Sequence, residues 1–195
     1  TNSYHSDELE EIASAKAIRM AIKDNKDYHM ATPIEIKEPL FNDDLYPYLQ
    51  RILLTSDKKR LEEIFLVSEG IENLLIKNAY ENDTYEDFLK ASISRRYTRA
   101  RIQRICTNII NNITKEEYKA LEPLNYVRVL GFNSKGREYL KQFRDREDFK
   151  IVTQFKNIPE SYKNIEWKVA NIYASYTSDR KAYLKQELRG PIIID

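Results

Sequence analysis

Thr98-Arg-Ala-Arg-Ile-Gln-Arg-Ile-Cys-Thr-Asn-Ile-Ile-Asn-Asn-Ile113 is the stretch that decides the fold. Thr98 is a good helix cap, and Ile102, Ile105, Cys106, Ile109 and Ile113 follow at spacings of three and four. The spacing predicts an amphipathic helix that buries this stripe. Further stripes lie upstream: Leu45, Leu49, Ile52 and Leu53; Leu61, Ile64 and Phe65; Ile71, Leu74 and Leu75; Phe88, Leu89 and Ile93. Ser68-Glu69-Gly70 reads as the cap before Ile71, and Asp83 as the cap before the Phe88 helix. Connections of a few residues make these helices packed neighbours.

Toward the N-terminus, Asp7 to Lys26 carries one more apolar stripe. Pro33 to Pro39 then reads as an extended linker, because prolines bracket the short Ile34-Glu35-Ile36 alternation. Toward the C-terminus, Tyr126 to Leu130 alternates with β-branched residues and predicts a strand. A turn at Gly131 to Ser134, a helix from Lys135 to Arg144, a second strand within Phe149 to Phe155, and helices over 161–174 and 178–188 follow. Pro191 to Ile194 is too short to assign. The expected fold is mainly α: a bundle-like helical domain with a minor two- or three-stranded β element. The expected parts are residues 1–32 and 33–195.

Composition narrows the function. The 195 residues hold 32 basic and 31 acidic groups, so net charge by itself implies no polyanion partner. Four glycines leave little material for phosphate-cradling loops, and one cysteine excludes a disulfide framework or a cysteine-rich zinc site. No apolar run approaches the roughly 18 residues of a membrane span, and no signal peptide opens the chain, so a cytoplasmic protein is expected. The two histidines, His5 and His29, form no pair at metal or triad spacing. No catalytic or metal-ligating residue is therefore assigned. Cys106 lies on an apolar stripe and reads as a buried thiol. Gly131-Phe-Asn-Ser-Lys-Gly136 has the glycine spacing of a phosphate loop, but Arg137-Glu138 replaces the required Lys and Ser or Thr. What is left there is a helix start beside Lys135 and Arg137, able to hold one phosphate.

The strongest local signal is Arg95-Arg-Tyr-Thr-Arg-Ala-Arg-Ile-Gln-Arg104, five arginines without an acid in ten residues. At 100° per residue, Tyr97, Arg101, Arg104, Asn108 and Asn111 fall opposite the isoleucine stripe. Arginine forks match phosphate and tyrosine can stack on an unpaired base, which makes Arg95, Arg96, Tyr97, Arg99, Arg101 and Arg104 candidate RNA contacts. The competing expectation pairs these arginines with Glu81, Asp83, Glu86 and Asp87 just upstream. A smaller signal is Ile12-Ala-Ser-Ala-Lys-Ala-Ile-Arg19, whose small residues and Ser14 can bring backbone close to an anion.

Taken together, Ser3-Tyr-His5, the Ser14-to-Arg19 segment, Glu69-Gly-Ile-Glu-Asn73, Arg96-Tyr-Thr-Arg-Ala-Arg-Ile-Gln-Arg104 and Tyr126 to Gly136 resemble, in order, the C-terminal half of the bacterial tRNA-Met cytidine acetate ligase family. The resemblance implies an enzyme that uses ATP to activate acetate as acetyl-adenylate and then acetylates the wobble cytidine of elongator tRNA-Met. It implies a Rossmann-like catalytic domain followed by a helical domain that holds tRNA. On this pattern residues 1–32 are a remnant of the catalytic domain, with Ser14 and Arg19 as phosphate contacts. Residues 33–195 then hold tRNA through the arginines above, Lys135 and Arg137. The His-x-x-His nucleotide motif is expected upstream of this chain, in a domain joined in cis that binds most of the ATP. The chain alone is expected to bind no cofactor and to be inactive. Oligomerisation is left open. The alternative is a structural or dimerising helical module of an enzyme that transfers a nucleotide to a small acceptor.

Overall fold

The computed structural model describes residues 13–32, 35–143 and 148–194. Residues 7–12 of the expected first helix, the Ser3-Tyr-His5 segment, Pro33, Ile34 and Arg144 lie outside these. The chain divides into two compact units, 1–41 and 42–195, so the division falls beyond the expected proline linker.

In the first unit, α1 (Ala15–Lys23) begins where the Ser14 side chain accepts a hydrogen bond from the Ala17 amide at 3.1 Å. Ala17 and Ala21, one turn apart, are buried. His29 is exposed, stacked on Tyr28 and hydrogen-bonded to Asp27.

The second unit opens with α2 (Asn42–Thr55), α3 (Lys58–Glu62), α4 (Ile71–Glu81), α5 (Tyr85–Ser92), α6 (Arg99–Ile110) and α7 (Lys115–Lys119). The expected stripes become its core. Leu49 and Leu53 of α2, Leu75 of α4, Phe88 and Leu89 of α5, and Ile102, Ile105 and Ile109 of α6 are buried together. Thr98 caps α6, accepting from the Arg101 amide. Two caps differ from expectation. Thr84, not Asp83, accepts the Asp87 amide at the start of α5. Ahead of α4 no side chain caps; Gly70 takes φ +77° instead, a backbone turn open to a residue without Cβ.

After α7 come β1 (Tyr126–Arg128), β2 (Gly131–Phe132), α8 (Ser134–Lys141), β3 (Lys150–Val152), α9 (Glu160–Ala174), α10 (Arg180–Glu187) and β4 (Ile192–Ile193). The expectation of one small β element is corrected here. Among the described residues there are two separate parallel pairs, β1 with β3 and β2 with β4, so this is not a pure helical bundle. Parallel partners need a crossover, which α8 provides between β1 and β3. In the second pair the backbones approach closely at Gly131, where a Cβ would stand 3.1 Å from the Ile192 carbonyl oxygen. Arg128 ties this part together. It donates to Glu166 of α9 at 2.7 Å and Glu187 of α10 at 2.6 Å, and lies over the Phe155 ring. Ile172 of α9 packs on the helical core. No helix among the described residues is long and apolar enough to cross a membrane.

Candidate nucleic-acid interface

The arginine segment straddles the start of α6. Arg95 and Arg96 sit in a tight turn in which Ser94 and Tyr97 exchange backbone hydrogen bonds of 3.0 and 3.2 Å. That turn points Tyr97 inward. The ring is 7% exposed and belongs to the helical core, which corrects its expected place on the outer face. The reason is geometric: Tyr97 precedes the Thr98 cap, so the 100° step of the helix does not reach it. Its ring also carries two guanidiniums, with Arg96 and Arg101 Cζ 5.6 and 5.0 Å from the centroid. No base can stack there without displacing them.

The arginines themselves stay near water. Arg99 binds Glu86 through two hydrogen bonds, 2.8 and 3.2 Å. Arg96 and Arg101 share Glu69 Oε2 at 3.1 and 3.5 Å. The Arg96 guanidinium, with help from Arg101, holds the Glu69 carboxyl below the usual carboxylate range. Arg95 and Arg104 are exposed and make no ion pair among the described residues. Exposed pairs of this kind stabilise a fold by little. Five guanidiniums therefore face two carboxylates, and the surface keeps a local positive excess. Asn108 and Asn111 of the same helix are spent on backbone: Asn108 donates to the Phe65 carbonyl and Asn111 to that of Thr107.

The remaining candidates lie elsewhere. Lys135 and Arg137 flank the first turn of α8, where the Asn133 side chain accepts from the Gly136 amide at 2.9 Å. Arg137 lies over Phe132, and no bond joins either residue to the α6 arginines among the described residues. Ser14 caps α1, and Arg19 is exposed on that helix. Cys106 is buried, and burial pushes its thiol up to about 12, too high for a nucleophile. No three His, Cys, Asp or Glu side chains converge on a metal position among the described residues.

Sequence reasoning gave no role to Glu69, which it read only as part of a cap and of a family segment. It also passed over the Arg128 clamp. A basic residue inside an alternating strand, Tyr126-Val-Arg128, was the available signal for the clamp. Beside Arg128 a cleft of about 600 Å³ is lined by Thr153, Gln186, Arg189 and Ile192.

With this geometry the chain matches the HIGH Nucleotidyl Transferase family over residues 1–187. The chain belongs to the HIGH nucleotidyltransferase family. The match covers nearly the whole chain, as the order of the quoted segments leads one to expect. Two curated relatives are named tRNA(Met) cytidine acetate ligase. That of Limosilactobacillus reuteri is 30% identical, over 99% of this chain and 52% of the relative. That of Oceanobacillus iheyensis is 33% identical, over 99% and 53%. The chain spans about half the length of the curated relatives it matches. Among solved structures, the crystal structure of apo Thermotoga maritima TmcAL superposes with a TM-score of 0.76 at 21% identity, covering 99% of this chain and 53% of that one. A second form of TmcAL, bound with alpha-thio ATP, gives 0.75 at 22% identity over 94% and 52%. The chain shares its fold with TmcAL.

Proposed function

We propose that this chain is the tRNA-holding, C-terminal part of a tRNA(Met) cytidine acetate ligase. The observation that carries the reading is the set of five guanidiniums at the start of α6, four exposed and that of Arg101 half-buried, opposed among the described residues by Glu69 and Glu86. Guanidinium forks bind phosphodiesters in a bidentate way, and a rigid helix end fixes their spacing. The relatives' printed names supply the substrate class. In this reading Arg95 and Arg104 reach RNA first, Lys135 and Arg137 add contacts at α8, and acetate activation by ATP takes place in the rest of the enzyme. Ser14 and Arg19 would touch the nucleotide's phosphates. The Ser14 oxygen accepts the Ala17 amide, and Arg19, with its fixed positive charge and several N–H donors, is the stronger phosphate partner of the two.

A second reading has support in the ion pairs: Arg96, Arg99 and Arg101 are all bonded to carboxylates, as a structural module would have them. A titration of tRNA against this chain at several salt concentrations separates the two. The binding reading expects log affinity to fall linearly with log salt, and the slope to shrink by about one when Arg104 becomes alanine. Affinity indifferent to Arg95→Ala and Arg104→Ala would hand the site to the structural reading. The same chain, given ATP, acetate and tRNA, is expected to form no acetylcytidine.

A further inference from the structure

Glu69 occupies an unusual backbone position. Its φ of +61° places a side chain with a Cβ in left-handed backbone, immediately before Gly70 at +77°. Among non-glycine residues that region favours Asn and Asp, whose short side chains bond locally, and glutamate has no such compensation. What the turn achieves is to carry a carboxylate over the start of α6. One oxygen, Oε2, reaches both Arg96 and Arg101, and both of those guanidiniums rest against the Tyr97 ring. The Tyr97 hydroxyl closes the group by donating to the Glu69 carbonyl at 3.5 Å. Two forks, an aromatic base and an oxyanion thus form one arrangement, and the chain itself supplies the oxyanion.

A guanidinium fork meets carboxylate and phosphate with the same planar donors. The Arg96 and Glu69 side chains are 60% and 47% exposed, so water screens their attraction and one oxyanion can replace another. We propose that Glu69 is a built-in occupant of a phosphate site, a carboxylate gate that an RNA phosphodiester displaces from Arg96 and Arg101. This rests on the reading of α6 as an RNA surface and adds a division of labour to it. Arg95 and Arg104 attract any polyanion. Arg96 and Arg101 join only when a phosphate reaches the position of Oε2, so the gate favours an RNA that fits over one that merely carries charge.

The test measures binding of the whole chain to tRNA and to an unstructured RNA of equal length, across a salt series. Glu69→Gln keeps the side-chain shape and removes the charge. It is expected to tighten binding by about threefold to tenfold, roughly one or two phosphate contacts, to steepen the salt slope and to narrow the preference for tRNA. Glu81→Gln, at the opposite end of α4, controls for loss of one negative charge and is expected to change affinity less than about twofold. The gain should vanish when Arg96 and Arg101 are both alanine. If the glutamine variant fails to fold, Glu69→Asn, which left-handed backbone tolerates, replaces it. Unchanged or weaker binding by the Glu69 variant, with Arg104→Ala still weakening it, overturns the gate and leaves the RNA surface standing. Indifference to Arg95→Ala and Arg104→Ala overturns the surface itself and the gate with it.

Discussion

Lys168 on α9 places its ammonium 2.5 Å from Glu117 Oε1 on α7, and donates a second hydrogen bond to the Asn112 carbonyl at 2.8 Å. Glu117 is engaged twice over, since its other oxygen accepts the Thr114 amide in the capping box that starts α7. One side chain thereby fastens the C-terminal helices to the end of the helical core.

Burial alone would raise the Glu117 carboxyl, but Lys168 and the Thr114 donors outweigh it and hold the group below its usual range. Removing the ammonium by Lys168→Ala is expected to cost about 1.5–3 kcal/mol near neutrality, the range for hydrogen bonds to charged groups. A depressed carboxyl contributes stability that is present above its unfolded value and lost as pH falls through the folded one. Chemical denaturation at neutral and acid pH should therefore show the gap between parent and variant closing below about pH 4. A gap independent of pH would mean that Glu117 is not the partner that matters.

Ile105 and Ile109 lie on the same face of α6 and are 0% and 2% exposed. Alanine at either is expected to cost about 2–5 kcal/mol, read from denaturant midpoints. Tyr97→Ala belongs with them and not with the RNA contacts. Its buried ring predicts a loss of about 3–5 kcal/mol, the range for truncating large aromatics.

Arg95→Ala and Arg104→Ala are expected to behave oppositely. Neither is tied to a carboxylate among the described residues, so melting should move by no more than about 0.5 kcal/mol equivalent. Each should take about one unit from the salt slope of tRNA binding. Parallel melts and filter binding on these two and Tyr97→Ala give the contrast directly.

Arg128 is 17% exposed on its side chain and serves two carboxylates at once. Arg128→Met would leave Glu166 and Glu187 partly buried without a counter-charge, and the expected cost is about 3–5 kcal/mol. Arg128→Lys should recover only part of it, because an ammonium lacks the second fork that reaches the Glu187 carbonyl. Full recovery by lysine would show that charge alone holds the clamp.

Much of the helical architecture could be read from residue spacing. The isoleucine stripe of α6, its Thr98 cap and the α2, α4 and α5 stripes all depend on local periodicity, which a sequence displays. The parallel β pairs could not be read that way. β2 and β4 are two residues each, too short for alternation to register, and their pairing brings Gly131 against a carbonyl distant in the chain. At the interface, five arginines in ten residues announced a charged surface. The inward turn of Tyr97 and the reach of Glu69 came from backbone turns at Ser94 and at Glu69-Gly70, which residue spacing does not display.

The β2–β4 pair has a consequence for the order of assembly. Its partners lie about sixty residues apart, and the Ile192 and Ile194 amides bonded to Leu130 and Phe132 are the ladder's return for closing that span. Loop entropy of that size against so few bonds makes this the last contact to form and the first to open. In hydrogen exchange, Ile192 and Ile194 should lose their protection through a local opening long before the amides of α6, so that the C-terminal strand unzips while the helical core stays shut.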